Sequence, residues 1–157
     1  MADIFNFTIA ASQGPDADRA GGLTAAQQAF AAALRARYDE NRQALEAGDI
    51  ERVLDFFTDD AMWIGNGLPT RRGREELRLL FQEVAGTARV SLRSLAAHVD
   101  GSSGWNFADF HVVPNDRMIA PWTFRTSFNW VEDARGWRCN GVLCFPLSDE
   151  PEGEEGP

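Results

Sequence analysis

The chain has 157 residues, 44% of them hydrophobic and 11% aromatic, which suits one domain that buries a core without disulfide or metal staples. Its formal net charge is −9, and Asp149, Glu150, Glu152, Glu154 and Glu155 hold much of it, leaving about −4 on the body, a balance that argues against nucleic acid as a partner. All 15 basic residues are arginine, so no lysine can form a Schiff base, and two histidines cannot build a three-histidine zinc site. No apolar run reaches the length of a membrane span, and no basic-then-apolar leader follows Met1, so a soluble, cytoplasmic protein that does not engage membranes is expected.

Residues 1–22 mix an apolar patch (Ile4, Phe5, Phe7, Ile9) with Gly14, Pro15, Gly21 and Gly22 and read as an N-terminal arm. Thr24 is placed to cap a long helix that runs to about residue 47, where Gly48 stops it. Its apolar stripe is Phe30, Leu34, Tyr38 and Leu45, with Asn41 on the same face. Asp49 caps a second helix carrying Val53, Leu54, Phe56 and Phe57, and a strand is expected over 61–64. A third helix over 74–84 turns Leu77, Leu80, Phe81 and Val84 inward. The rest is strand: 90–99, 105–113, 121–132 and 137–147, separated by turns rich in Gly, Ser, Pro, Asn and Asp. Helices first and a meandering antiparallel sheet after is an α+β layout. The main domain spans 23–148, and 149–157 forms an acidic tail with the composition of a disordered end.

Strand alternation sorts the candidate site residues. On 105–113, Trp105, Phe107, Asp109 and His111 share one face, and Asn106, Ala108, Phe110 and Val112 the other. If the first face lines a cavity, desolvation raises the Asp109 pKa and suits it to acid-base catalysis, with His111 sharing the proton or orienting water. If it is convex, Asp109 pairs with an arginine at a subunit contact. On 121–132, Thr123, Arg125, Ser127 and Asn129 oppose a row of Trp122, Phe124, Thr126, Phe128 and Trp130. Facing inward, Arg125 would neutralise Asp109 or hold a ligand oxyanion; facing outward, it is a solvated or dimer-contact residue. Tyr38 and Asn41 are placed to donate to a ligand carbonyl, Tyr38 alternatively as a core aromatic, and Trp63 to supply an apolar wall. Cys139 and Cys144, an odd number of residues apart on one strand, are expected on opposite faces as buried free thiols.

Residues 44–65, ALEAGDIERVLDFFTDDAMWIG, followed by RRGREEL at 71–77 and RGWR at 135–138, carry a resemblance. This order is similar to the nuclear transport factor 2-like superfamily, SnoaL-like and ketosteroid-isomerase-like branch, over residues 26–145, and RGWR resembles the Gly-x-Trp-Arg turn that often opens its last strand. The resemblance implies a cone-shaped, curved antiparallel sheet wrapped around a long N-terminal helix and two shorter ones, enclosing a small-molecule cavity.

The resemblance also implies departures. The catalytic aspartate of ketosteroid isomerases falls on Gly65 and their oxyanion-hole tyrosine on Asn41. The Arg-x-Asp pair of limonene-type epoxide hydrolases becomes Phe107 and Asp109, and their second aspartate falls on Cys139. SnoaL-like cyclases need only one acid-base residue, which Asp109 would supply. The expected function is therefore a cofactor-independent isomerase, cyclase or dehydratase acting on a small apolar carbonyl compound. Asp109 would move the proton, and His111 or Asn41 would polarise oxygen. The alternative from a different class is a non-catalytic ligand-binding or dimeric interaction module. A homodimer is expected through the open sheet face, because the aromatic row on 121–132 is too apolar to leave in water.

Overall fold

The computed structural model describes residues 23–65, 67 and 69–147. The expected arm over 1–22 and the acidic tail over 149–157 lie outside the described residues. Among the described residues, three helices and six strands follow one another as α1 (Ala25–Ala47), α2 (Ile50–Leu54), β1 (Phe57–Gly65), β2 (Arg71–Arg72), α3 (Gly73–Val84), β3 (Ala88–Asp100), β4 (Ser103–Pro114), β5 (Trp122–Asp133) and β6 (Gly136–Pro146). The strands form one curved, unclosed sheet in the order β2-β1-β6-β5-β4-β3, antiparallel throughout except for the parallel β1–β6 pair.

Local chemistry fixes the helix ends. Thr24 accepts from the backbone N–H of Gln27, whose side chain accepts in turn from Thr24 N–H, a reciprocal cap on α1. Gly48 ends α1 at φ 72, a left-handed conformation that a side chain would strain, and its N–H reaches the Ala44 and Leu45 carbonyls. Asp49 accepts from Arg52 N–H and starts α2. The second helix is shorter than expected: it ends at Leu54, and Phe57 already belongs to β1, which begins four residues before the expected 61.

The buried face of α1 presents Phe30, Leu34, Tyr38, Asn41 and Ala44, the stripe read from spacing with Ala44 in place of the partly buried Leu45. It packs against the concave sheet face, where Phe128 and Trp130 of β5 meet Tyr38 edge-on. Asn106, fully buried on β4, accepts from the Tyr38 hydroxyl at 3.0 Å and from Trp130 Nε1 at 2.7 Å through the same Oδ1. That node explains how a tyrosine, a tryptophan and an asparagine share one core: the first two donate to the third.

Two register shifts matter for what faces inward. One sits between Ser94 and Ala96 of β3 and the other at Asn129/Trp130, where β6 carries one residue more than β5. The second corrects the expected placement of the cysteines. Cys139 pairs with Trp130 and Cys144 with Thr126, so the extra residue restores both thiols to the concave face. Both are buried and free. Burial pushes the Cys139 thiol up to about 12, and it pushes Cys144 upward as well, so neither is a thiolate at neutral pH. Among the described residues, no helix is long and apolar enough to cross a membrane.

Candidate functional site

Between the C-terminal half of α1, helix α3 and the concave sheet face lies a cavity of about 360 Å³. Asn41 and Leu45 of α1 close one side, and Leu80, Phe81 and Val84 of α3 another. The sheet supplies Phe110 and Val112 from β4, Phe124, Thr126 and Phe128 from β5, and Cys144 from β6. Trp63 and Gly65 of β1 complete that wall, and Trp122, half exposed, stands at the rim. Many of these rings brace one another: Phe110 and Phe124 stack with planes 4° apart, and Trp63 meets Phe81 edge-on. Among the described residues, the lining contains no carboxylate, imidazole or guanidinium.

The sequence-derived residues divide by face. Asn41 and Trp63 line the cavity. The Asn41 amide makes one long hydrogen bond, 3.5 Å from Nδ2 to the Val53 carbonyl, which leaves most of its capacity for a ligand. Tyr38 is core: its hydroxyl is committed to Asn106, and burial raises its pKa well above the usual phenol value, so it stays a protonated donor. It borders only a small void beside Asn41, apart from the main cavity.

Asp109, His111 and Arg125 occupy the opposite, convex face, the outward of the two placements that strand alternation allows, and none of them lines the cavity. Asp109 pairs directly with Arg125 across β4–β5 and with Arg93 across β3–β4, so all three side chains leave the sheet on one side. Arg125 donates to both Asp109 oxygens, at 2.8 and 3.2 Å, and Arg93 donates at 2.8 Å. These bonds, Arg125's foremost, outweigh the partial desolvation of Asp109 and hold its carboxyl below the usual carboxylate range. The direction is opposite to that of a general base tuned toward neutrality. His111 meets Thr123 through Nδ1 at 3.0 Å on the same outer face.

The lining of β4 and β5 comes from the rows opposite Asp109 and Arg125. Alternation sorts Phe110, Phe124, Thr126 and Phe128 onto one side of their strands and leaves open which side lines the cavity. The signal available was the ring content of the row on 121–132: four aromatic side chains on one face need burial more than an Asp–Arg pair does.

The comparisons with known proteins agree with this architecture. A ketosteroid isomerase-like protein from Erwinia carotovora atroseptica superposes with a TM-score of 0.62 at 18% identity, covering 74% of this chain and 95% of that one. A provisionally assigned dehydratase of the nuclear transport factor 2-like family from Streptomyces avermitilis gives 0.65 at 12% identity, covering 77% and 98%. A domain of unknown function with a cystatin-like fold from Nostoc punctiforme gives 0.66 at 16%, covering 82% of each chain. At such identities the likeness is one of fold. No curated protein matches the sequence. The SnoaL-like domain model matches residues 34–150, most of the chain and all the elements that build the cavity from Leu34 onward, and the protein therefore belongs to the SnoaL-like domain family.

Proposed function

We propose that this chain is a binding module for a small, neutral, largely apolar molecule held in the cavity between α1, α3 and the sheet, rather than an acid-base enzyme. The observation that carries the reading is the lining itself: among the described residues it offers rings, aliphatic groups, hydroxyls, a thiol and one amide, but no group able to move a proton at neutral pH. The family includes isomerases, cyclases and dehydratases, and the acid that such chemistry would draw on here, Asp109, is bound to two arginines on the other side of the sheet. The volume suits a compact neutral compound of two or three rings. An ionised ligand would bury its charge without a partner in that lining. We further propose that the chain pairs with a second copy through its convex sheet face, where Ile64, Trp105, Phe107 and Leu143 are exposed.

The test is titration with the neutral, environment-sensitive dye N-phenylnaphthylamine. Saturable binding of one dye per chain is expected, with Trp63 and Trp122 fluorescence quenched as the site fills. Trp122→Arg, at the exposed rim, should weaken binding by about tenfold or more while the fold is retained. Asp109→Asn should leave the dye affinity unchanged. Absence of saturable binding, or loss of binding in Asp109→Asn with Trp122→Arg unaffected, would overturn the assignment.

A further inference from the structure

Two buried hydrogen-bonding atoms on the cavity wall lack a proper partner. The Oγ1 of Thr126, a fully buried residue, and the Nε1–H of Trp63 have no oxygen or nitrogen within hydrogen-bonding reach. The Cys144 sulfur lies beside the indole N–H but accepts only weakly, and its own S–H is directed to the Ile64 carbonyl at 3.6 Å. Register brings these groups to one corner. Thr126 is opposite Cys144, Cys144 is opposite Gly65, and Trp63 stands two residues before Gly65 on β1. All four residues line the cavity. Buried polar groups in folded proteins nearly always have partners, and two orphans on one cavity wall mark the place where a partner belongs.

We propose that this corner is the subsite for the single hydrogen-bond acceptor of the ligand. A carbonyl or ether oxygen accepts from Trp63 Nε1–H and Thr126 Oγ1–H, while the hydrocarbon body lies against the phenylalanines of β4, β5 and α3. Both groups can act as donors, and no cation lines the cavity among the described residues, so the ligand class is a neutral ketone, ester or ether rather than a carboxylate. This rests on the cavity being the binding site. It adds a subsite on β1, β5 and β6, separate from Asn41 on α1.

The experiment measures displacement of N-phenylnaphthylamine by acetylnaphthalene and by isopropylnaphthalene, which have nearly the same shape but only the first of which has an oxygen. The wild-type chain should prefer the ketone by about tenfold. Thr126→Val keeps the shape of the wall and removes one donor, and Trp63→Phe removes the other donor together with part of the ring; each should cut the preference to about threefold or less. The ratio of the two affinities is the readout in both variants, because the ring volume lost in Trp63→Phe acts on ketone and hydrocarbon alike. Thr126→Val should also melt no lower than the wild type, because it removes a buried hydroxyl that has no partner. A preference that survives in both variants and disappears in Asn41→Leu overturns the subsite and moves the acceptor to α1. Equal affinity for ketone and hydrocarbon in the wild type overturns it as well, with the binding function still standing. If neither compound nor the dye binds, the cavity reading fails and the subsite with it.

Discussion

At the scale of single residues, Asp109 shows how the environment decides what a carboxylate does. Its side chain is 8% exposed, and its two partners, Arg93 and Arg125, are 68% and 46% exposed. The arginines keep most of their hydration while neutralising the acid, so the cluster is held together without burying a net charge. Because the folded chain holds the Asp109 proton more weakly than the unfolded chain does, ionisation favours the folded state. That contribution is present above about pH 4, the ordinary aspartate range, and is lost as pH falls through the lower folded value. Exposure of the arginines discounts its size, and Asp109→Asn should cost roughly 1 kcal/mol at neutral pH. Thermal melts of both proteins from pH 7 downward would check this: the variant should melt a few degrees lower at neutrality, and the gap should narrow in acid. A gap that is constant or widens toward acid would assign the effect to packing instead of charge.

At the scale of elements, the helix ends, the apolar stripe of α1 and the hairpin turns were legible because each rests on nearby residues: Thr24 and Gln27, Gly48, Asp49, and the turns at Gly101 and Gly136. The face of β4 and β5 was not, because alternation sorts a strand into two rows without saying which row is inside. The direct pairing of Asp109 with Arg125 ties the two strands together, so an inward aspartate requires an inward arginine and expels four rings from the core. Bulges are less legible still. The extra residue in β6 that returns both cysteines to one face has no signature beyond Asn140 and Gly141, and the odd spacing of Cys139 and Cys144 points the wrong way without it. Gly104 illustrates a constraint that only the packing reveals. A Cβ there would lie 2.6 Å from Phe30 Cζ and 2.9 Å from the His98 carbonyl oxygen. Phe30 is fully packed against Trp137 and cannot withdraw cheaply. Gly104→Ala should therefore destabilise the fold by roughly 2 kcal/mol. Urea unfolding should show a lower midpoint with an unchanged slope, since the same surface is exposed on unfolding. An unchanged midpoint would mean that α1 shifts freely relative to β4.

At the scale of the whole molecule, one sheet separates two surfaces of different use. The concave face holds the cavity and carries the aromatic row of β5, with Trp122, Phe124 and Phe128 lining the cavity and Trp130 in the core. The convex face has its own apolar band. Ile64 pairs with Leu143, Leu143 with Ser127, and Ser127 with Phe107, so the band crosses β1, β6, β5 and β4 in a single row. Ile64, Leu143 and Phe107 are 39%, 38% and 42% exposed, and Trp105 packs on Phe107 beside them. An apolar row of this kind, interrupted at Ser127 and edged by the Asp109 cluster, has the apolar patch and charged margin of a protein contact. A twofold pairing lays the same patch against itself, which requires only one such surface per chain. Light scattering at micromolar concentration should then give twice the 17.4 kDa chain mass. Phe107→Glu places a charge at the β4 end of the band and should return the mass to that of one chain. The cavity lies on the other side of the strand, so the dye affinity of this variant should match that of the wild type. A wild-type chain that scatters as a monomer would remove the pairing and leave the band to a different partner. A monomeric variant with weakened dye binding would instead show that pairing supports the cavity through the curvature of the shared sheet, and that the two faces act as one unit.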